Sequence, residues 1–211
     1  MKTYAIREMF LTIQGEGHHA GSRAVFVRTS GCNVWSGREE DRRRDRARGV
    51  CAEWCDTEFR GTDGPGGGRF AAPEIAGRVL DLWAFASSPL VVITGGEPSI
   101  TIDAELVDAL HQIGARVHVE TNGSRPLPKS VDWVTLSPKP PMPVFNQRYD
   151  EVKVVYPAVD PLRYEGCAAV RFVQPLDHGD RASHVDQCKV FVLGHPGWRL
   201  SLQTHKLIGV P

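Results

Sequence analysis

The sequence predicts an α/β protein built on a parallel sheet. Short β-branched apolar runs recur along the chain, helical segments separate several of them, and most of these runs end in polar residues. Its 211 residues suit one substantial core, so residues 1–211 read as a single domain with a long loop or insert at about 33–73.

The elements follow in order. Ala24–Thr29 (AVFVRT) is a β-branched and aromatic run, hence a strand. Residues 33–50 lose all apolar periodicity, and REEDRRRDRAR within them is a mixed-charge run, read as a solvated excursion or a short helix. Glu39, Glu40, Asp41 and Asp45 dilute its arginines, which argues against a nucleic-acid patch. GTDGPGGGRF (61–70) is a glycine-rich loop without the Gly-Lys-Ser/Thr ending of a phosphate loop. Pro73 opens a helix running to about Phe85, with Ile75, Val79, Leu82 and Trp83 at helical spacing. Leu90–Thr94 is a buried strand and Asp103–Ile113 a helix. Arg116–Glu120, Trp133–Ser137, Glu151–Tyr156 and Ala169–Val173 read as strands, Asp180–Leu193 as a helix and Trp198–Leu202 as a last strand.

Composition narrows the function classes. Lysine plus arginine equals aspartate plus glutamate at 25 each, so no global charge draws the chain to nucleic acid or to an anionic membrane. No run approaches the roughly 20 apolar residues of a membrane span. Arg7 and Glu8 fall where a signal peptide needs its apolar stretch. A cytoplasmic protein without membrane association is expected. Five cysteines are too few for a disulfide scaffold and point to reduced thiols. Cys167 and Cys188 stand alone and read as small buried hydrophobes, whereas Cys32, Cys51 and Cys55 lie together in the early, loop-rich region.

The strand ends carry the functional signal. LVVIT runs into Gly95-Gly96-Glu97-Pro98, RVHVE into Thr121-Asn122-Gly123, DWVTL into Ser137-Pro138-Lys139, RFV into Gln174-Pro175, and RLSL into Gln203-Thr204-His205-Lys206. In parallel α/β folds ligands bind at that end. Each has an ordinary alternative: a turn, a solvated acid, a surface histidine. Five together favour a site.

Cys32, Cys51 and Cys55 admit two metals. Structural zinc wants four tetrahedral ligands, usually in two close pairs, and only one close pair is present, with His18 or His19 as possible fourth ligands. An iron–sulfur cluster held by three thiolates keeps one iron open for a substrate or cofactor.

At these residues the sequence resembles the 7-carboxy-7-deazaguanine synthases, a family of radical S-adenosylmethionine enzymes. The resemblance rests on FLTIQGEGHHAG, GCNVWSGRE, CDTEF, TGGEP, ETNGS, SPK, EVKVVY, VQP and QTHKLIGVP, and runs from near the start to the last residue. It implies a reduced, partial (β/α) barrel and a lyase that contracts 6-carboxy-5,6,7,8-tetrahydropterin to 7-carboxy-7-deazaguanine with loss of ammonia. A 5′-deoxyadenosyl radical would take hydrogen from C6 and recover it, so the cofactor is reused. The implied cofactors are a [4Fe-4S] cluster, S-adenosylmethionine and Mg2+. The implied partners are an electron donor such as flavodoxin or ferredoxin and a second copy in a homodimer.

The resemblance also assigns residues. Cys32, Cys51 and Cys55 match the cluster ligands; with Glu97 they form the catalytic set. Gly95, Gly96 and Glu97 match the segment holding the cofactor's amino group, and Glu120, Asn122, Ser137, Lys139 and Gln174 its other contacts. Thr57 matches the Mg2+ ligand. Gln14, Gly15, Glu16, Arg28, Thr94, His205 and the Pro211 carboxylate match the pterin-binding set. One departure stands out: the gaps between the three cysteines hold 18 and three residues, placing Cys51 one residue earlier than the family's CxxC ending. A turn of helix, on which i,i+3 and i,i+4 share a face, would absorb this. A cluster-defective relative, a zinc-stabilised RNA- or protein-binding module and a glycyl-radical activase are the competing readings.

Overall fold

The computed structural model describes residues 2–211. Nine strands form one sheet: β1 (Tyr4–Ile13), β2 (Arg23–Thr29), β3 (Gly68–Phe70), β4 (Leu90–Gly95), β5 (Arg116–Thr121), β6 (Trp133–Leu136), β7 (Glu151–Tyr156), β8 (Val170–Pro175) and β9 (Arg199–Leu200). Their order is β3-β1-β2-β4-β5-β6-β7-β8-β9. β2 and β4 to β9 run parallel, while β1 and β3 extend one edge antiparallel. The sheet is open, with β3 and β9 at its edges, as a partial barrel requires.

Three full helices flank it: α2 (Ala72–Trp83), α3 (Ala104–Gln112) and α4 (Arg181–Gly194). Short α1 (Arg42–Asp45) and α5 (Thr204–Ile208) lie in the excursion and near the end of the chain. Local chemistry sets the starts. Asp103 accepts from Leu106 N at 3.1 Å, Asp180 from Ser183 N at 3.1 Å, and Glu74 from Ala71 N at 2.7 Å. The sequence-predicted helices and parallel strands fall within a residue or two of these bounds, except that β9 shrinks to two residues.

One long strand escapes the periodicity reading. β1 buries Tyr4, Ile6 and Met9, so its two-residue alternation breaks at Arg7–Glu8. There the pairing with β2 shifts register, and a bulge reverses which side chains face the core. The glycine-rich loop packs on this bulge. A Cβ on Gly64 would stand 2.6 Å from Arg7 O, and one on Gly66, at φ 67°, 2.7 Å from Met9 O. Those glycines therefore serve strand packing, not a phosphate.

The sheet's two faces differ. Val25, Val27, Val91, Ile93, Val117, Val119, Val134, Leu136, Val152 and Val154 join the core with the apolar faces of α2 and α3. The alternate positions on β2 and β4 to β8 carry Arg28, Thr94, Glu120, Thr135, Lys153 and Gln174. Cys188 is fully buried and Cys167 packs against the core, as expected of structural thiols. Among the described residues no helix is long and apolar enough to cross a membrane.

Candidate active site

Two adjoining cavities open on the polar face. The first, of 380 Å³, is lined by Gln14, Gly15, Glu16, Arg28, Thr94, His205 and Pro211, together with Phe10, Phe26 and Asp56. The second, of 190 Å³, is lined by Cys32, Cys51, Cys55, Gly95, Gly96, Glu97, Glu120, Asn122, Ser137, Lys139 and Gln174. Glu16, Asp56, Thr57, Thr94, Glu120 and Gln203 line both. Most of the pterin-type and cofactor-type residues therefore line different cavities, while Glu16, Thr94, Glu120 and Thr57 stand at the boundary the two share.

The thiol side is built from loops. Val50–Glu53 forms a 3₁₀ turn in which Cys51 O accepts from Trp54 N at 3.1 Å and from Cys55 N at 2.7 Å. That single turn absorbs the extra residue, and Cys51 and Cys55 open on the same cavity. Val34, Trp35, Ala52 and Phe59 pack beside them as a satellite core, apart from the main one.

The charged excursion is less solvated than its composition suggests. Arg42 lies 4.1 Å over the Trp35 ring and donates to Ala52 O at 2.8 Å and Cys55 O at 3.2 Å. Asp45 is fully buried and accepts from Ser36 N at 2.9 Å. Arg42 thus clamps the cysteine turn and Asp45 braces Ser36, next to Trp35 of the satellite core, while Arg43, Arg44, Arg46 and Arg48 stay exposed.

Burial raises all three site thiols, Cys51 to about 12, so they stay protonated in the metal-free chain. Iron would displace those protons. Among the described residues no three His, Cys, Asp or Glu side chains converge on one ion. Three thiols opening on one cavity suit a cubane cluster, in which each of three irons takes its own thiolate. The donor set fits the cluster.

Gly96 makes the thiol wall possible: a Cβ there would stand 2.7 Å from Cys32 Cβ and run into Gly31 O. Glu97 is 1 % exposed. Its carboxylate accepts from Ser99 N (3.0 Å), Thr121 Oγ1 (2.6 Å) and Asn122 N (2.6 Å). These bonds tie the end of β4 to the end of β5, and a carboxylate's capacity leaves room for one further donor. Asn122 Nδ2 donates to Asn33 Oδ1 at 3.0 Å, and Lys139 Nζ to Ser137 Oγ at 2.6 Å.

The first cavity is strand-built. Phe10 and Phe26, cross-strand partners on β1 and β2, stack at 5.6 Å and offer an apolar wall to a flat ring. Arg28 Nε donates to Glu8 Oε1 at 2.7 Å, leaving its other nitrogens for a ligand. Thr12 Oγ1 donates to Pro211 O at 2.7 Å, which fixes the end of the chain at the cavity. Lys206 binds Asp56 (2.7 Å) and Asp177 (2.6 Å), joining α5 to the loop after Cys55.

Sequence reasoning missed Phe10, Phe26 and Lys153. The two phenylalanines belong to a strand pairing that period alone did not reveal. Lys153 sits in EVKVVY, a quoted motif, yet reads as an ordinary strand residue.

A partial parallel barrel with a thiol triad, a Gly-Gly turn and polar strand ends on one cavity defines an enzyme of the radical S-adenosylmethionine class. The chain is 46% identical over 214 residues to the 7-carboxy-7-deazaguanine synthase of Bordetella pertussis, covering 99% of both proteins. It is 46% identical to that of Caulobacter vibrioides, covering 99% of this chain and 100% of the relative. The crystal structure of QueE from Escherichia coli superposes with a TM-score of 0.71 at 26% identity, over 95% of this chain and 93% of that one. No family model matches the chain. The chain belongs to the 7-carboxy-7-deazaguanine synthase family.

Proposed function

We propose that the protein converts 6-carboxy-5,6,7,8-tetrahydropterin to 7-carboxy-7-deazaguanine with loss of ammonia, acting as a carbon–nitrogen lyase with catalytic use of S-adenosylmethionine. Two adjoining cavities, one holding most of the pterin-type residues and the other the thiols and most of the cofactor-type residues, support this most strongly. When bound, the cluster and S-adenosylmethionine supply the radical chemistry. Cys32, Cys51 and Cys55 hold the cluster. Gly95, Gly96 and the last free site of Glu97 receive the cofactor's amino group, and Glu120, Asn122, Ser137, Lys139 and Gln174 receive its ribose and methionine parts.

The pterin lies in the first cavity. Glu16 accepts from its amide and amine edge, Phe10 and Phe26 face its ring, and Arg28 and His205 bind its carboxylate through charge-assisted bonds. Thr57, between the cavities, offers a hydroxyl to Mg2+, an ion that takes oxygen ligands and keeps several waters. Gln203, Lys206 and Pro211 close the pocket against water, which protects a reactive intermediate. The protein works as a cytoplasmic homodimer reduced by a flavodoxin or ferredoxin.

The test is anaerobic reconstitution, then dithionite, S-adenosylmethionine, Mg2+ and carboxytetrahydropterin with mass detection of the product. Carboxydeazaguanine formation and about four irons per chain are expected. Zinc without iron would overturn the reading.

A further inference from the structure

Lys153 lies on β7 with its side chain 3 % exposed. Its Nζ donates to Glu16 and to Glu120 Oε2, the latter at 3.1 Å, and both carboxylates stand at the boundary that the two cavities share. Gln14 closes the loop, with Nε2 donating to Glu120 Oε1 at 3.0 Å and Oε1 accepting from Glu16 N at 3.1 Å. Two strands, β5 and β7, and the QGEG loop thus meet at one ammonium, which itself lines the second cavity.

Two carboxylates this close cannot both stay ionised without a cation. Burial opposes the charge on Glu16, but Lys153, Gln203 and His205 outweigh it and hold its carboxyl below the usual range. Burial likewise opposes the charge on Lys153, but Glu120, Glu16 and Glu151 outweigh it and hold the ammonium well above its ordinary value. A ligand donating to Glu120 frees the ammonium to fix Glu16, whose carboxylate keeps lone pairs for a second donor.

We propose that Lys153 is a positioning residue that couples the two cavities, so that S-adenosylmethionine at Glu120 and pterin at Glu16 tighten each other's binding. The inference rests on the assignment of the two cavities given above. A donor that satisfies Glu120 releases Lys153 toward Glu16. Glu16 is thereby fixed, ionised and already oriented, before the pterin arrives. The linkage is reciprocal: the pterin tightens the cofactor by the same factor.

The experiment is anaerobic equilibrium dialysis of carboxytetrahydropterin against reconstituted, oxidised enzyme, with and without saturating S-adenosylmethionine. No reductant is present, so nothing turns over. The wild type is expected to bind pterin about tenfold tighter with the cofactor. Lys153→Gln is expected to lower that factor to about one, while Lys153→Arg, which keeps the charge, retains most of it. Thermal melts and iron content check folding. If Lys153→Gln alone does not fold, Lys153→Gln/Glu151→Gln also removes the buried acid beside the ammonium, and Glu151 lines neither cavity. A wild-type factor of one, or an unchanged factor in a folded neutral variant, overturns the inference. Failure of the wild type to bind either ligand overturns the functional reading itself and is a separate result.

Discussion

The thiol side and the pterin side of this site lie next to each other and are held by opposite means. The thiol side is loop: a 3₁₀ turn, a satellite apolar core and two inward charges of the arginine-rich excursion. The pterin side is mostly strand, with stacked phenylalanines on β1 and β2, and at its boundary with the thiol side a buried ammonium on β7 pairs two carboxylates. The first keeps its ligating atoms neutral by burial until metal takes their protons. The second keeps its groups charged by pairing them. A loop can absorb an inserted residue, as the turn at Cys51 does. A strand cannot, because a one-residue slip sends every side chain to the other face.

The sharpest way to break the comparison is at Cys51. Cys51→Ala should abolish cluster retention and turnover, while Cys167→Ala should leave both unchanged; iron content and product formation read the outcome. A Cys51→Ala protein with a full complement of iron would show that the displaced thiol is not a ligand. Gly96→Ala should come next, with a large loss of iron, because its methyl has no space beside Cys32.

A buried carboxyl next to Lys153 on β7, outside both cavities, has a pH signature. Burial raises the Glu151 carboxyl from its ordinary 4.5 to about 7. A carboxyl raised on folding makes the folded state bind its proton more tightly. Its contribution is therefore complete below about pH 4.5 and is lost as pH rises through about 7. The shift corresponds to about 3 kcal/mol. Glu151→Gln should remove that downward slope between pH 5 and 8 in denaturant titrations. A slope unchanged by the substitution would assign it to another group.

Asp45→Ala tests whether the excursion is structural. It strips the partner from Ser36 N and the buried anion from Arg44, so a loss of about 2 kcal/mol is expected. Chemical denaturation measures it; a loss below 0.5 kcal/mol would mark the run as solvent-facing after all. Lys206→Met is expected to act least. Its bridges are one-third exposed on the lysine side, so a rise of a few-fold in the pterin KM, about 1 kcal/mol, with kcat nearly unchanged is expected from steady-state kinetics.

Much of this was legible in advance, for identifiable reasons. β4 to β8 appear as apolar runs because their outer positions face helices, and their polar ends mark where the sheet meets its ligands. Gly95-Gly96-Glu97, Asn122 and Ser137 could be paired with one cavity because each follows a strand directly. β1 was hidden by its bulge. Asp45 reads as one more surface acid among arginines until the chain folds it under Ser36.

The sequence by itself determined the parallel α/β order, the three early thiols and the residues that collect at the strand ends, since all depend on local periodicity and spacing. The tertiary structure alone decided three things. It brought Cys51 to the cavity through an i,i+4 turn, and it faced Phe10 to Phe26. It also set Lys153 between Glu16 and Glu120, residues 137 and 33 positions away. Each is a long-range or conformational fact, fixed by strand order, register or one local turn. A lysine in a strand carries no local sign of which carboxylates the neighbouring chain will bring to it.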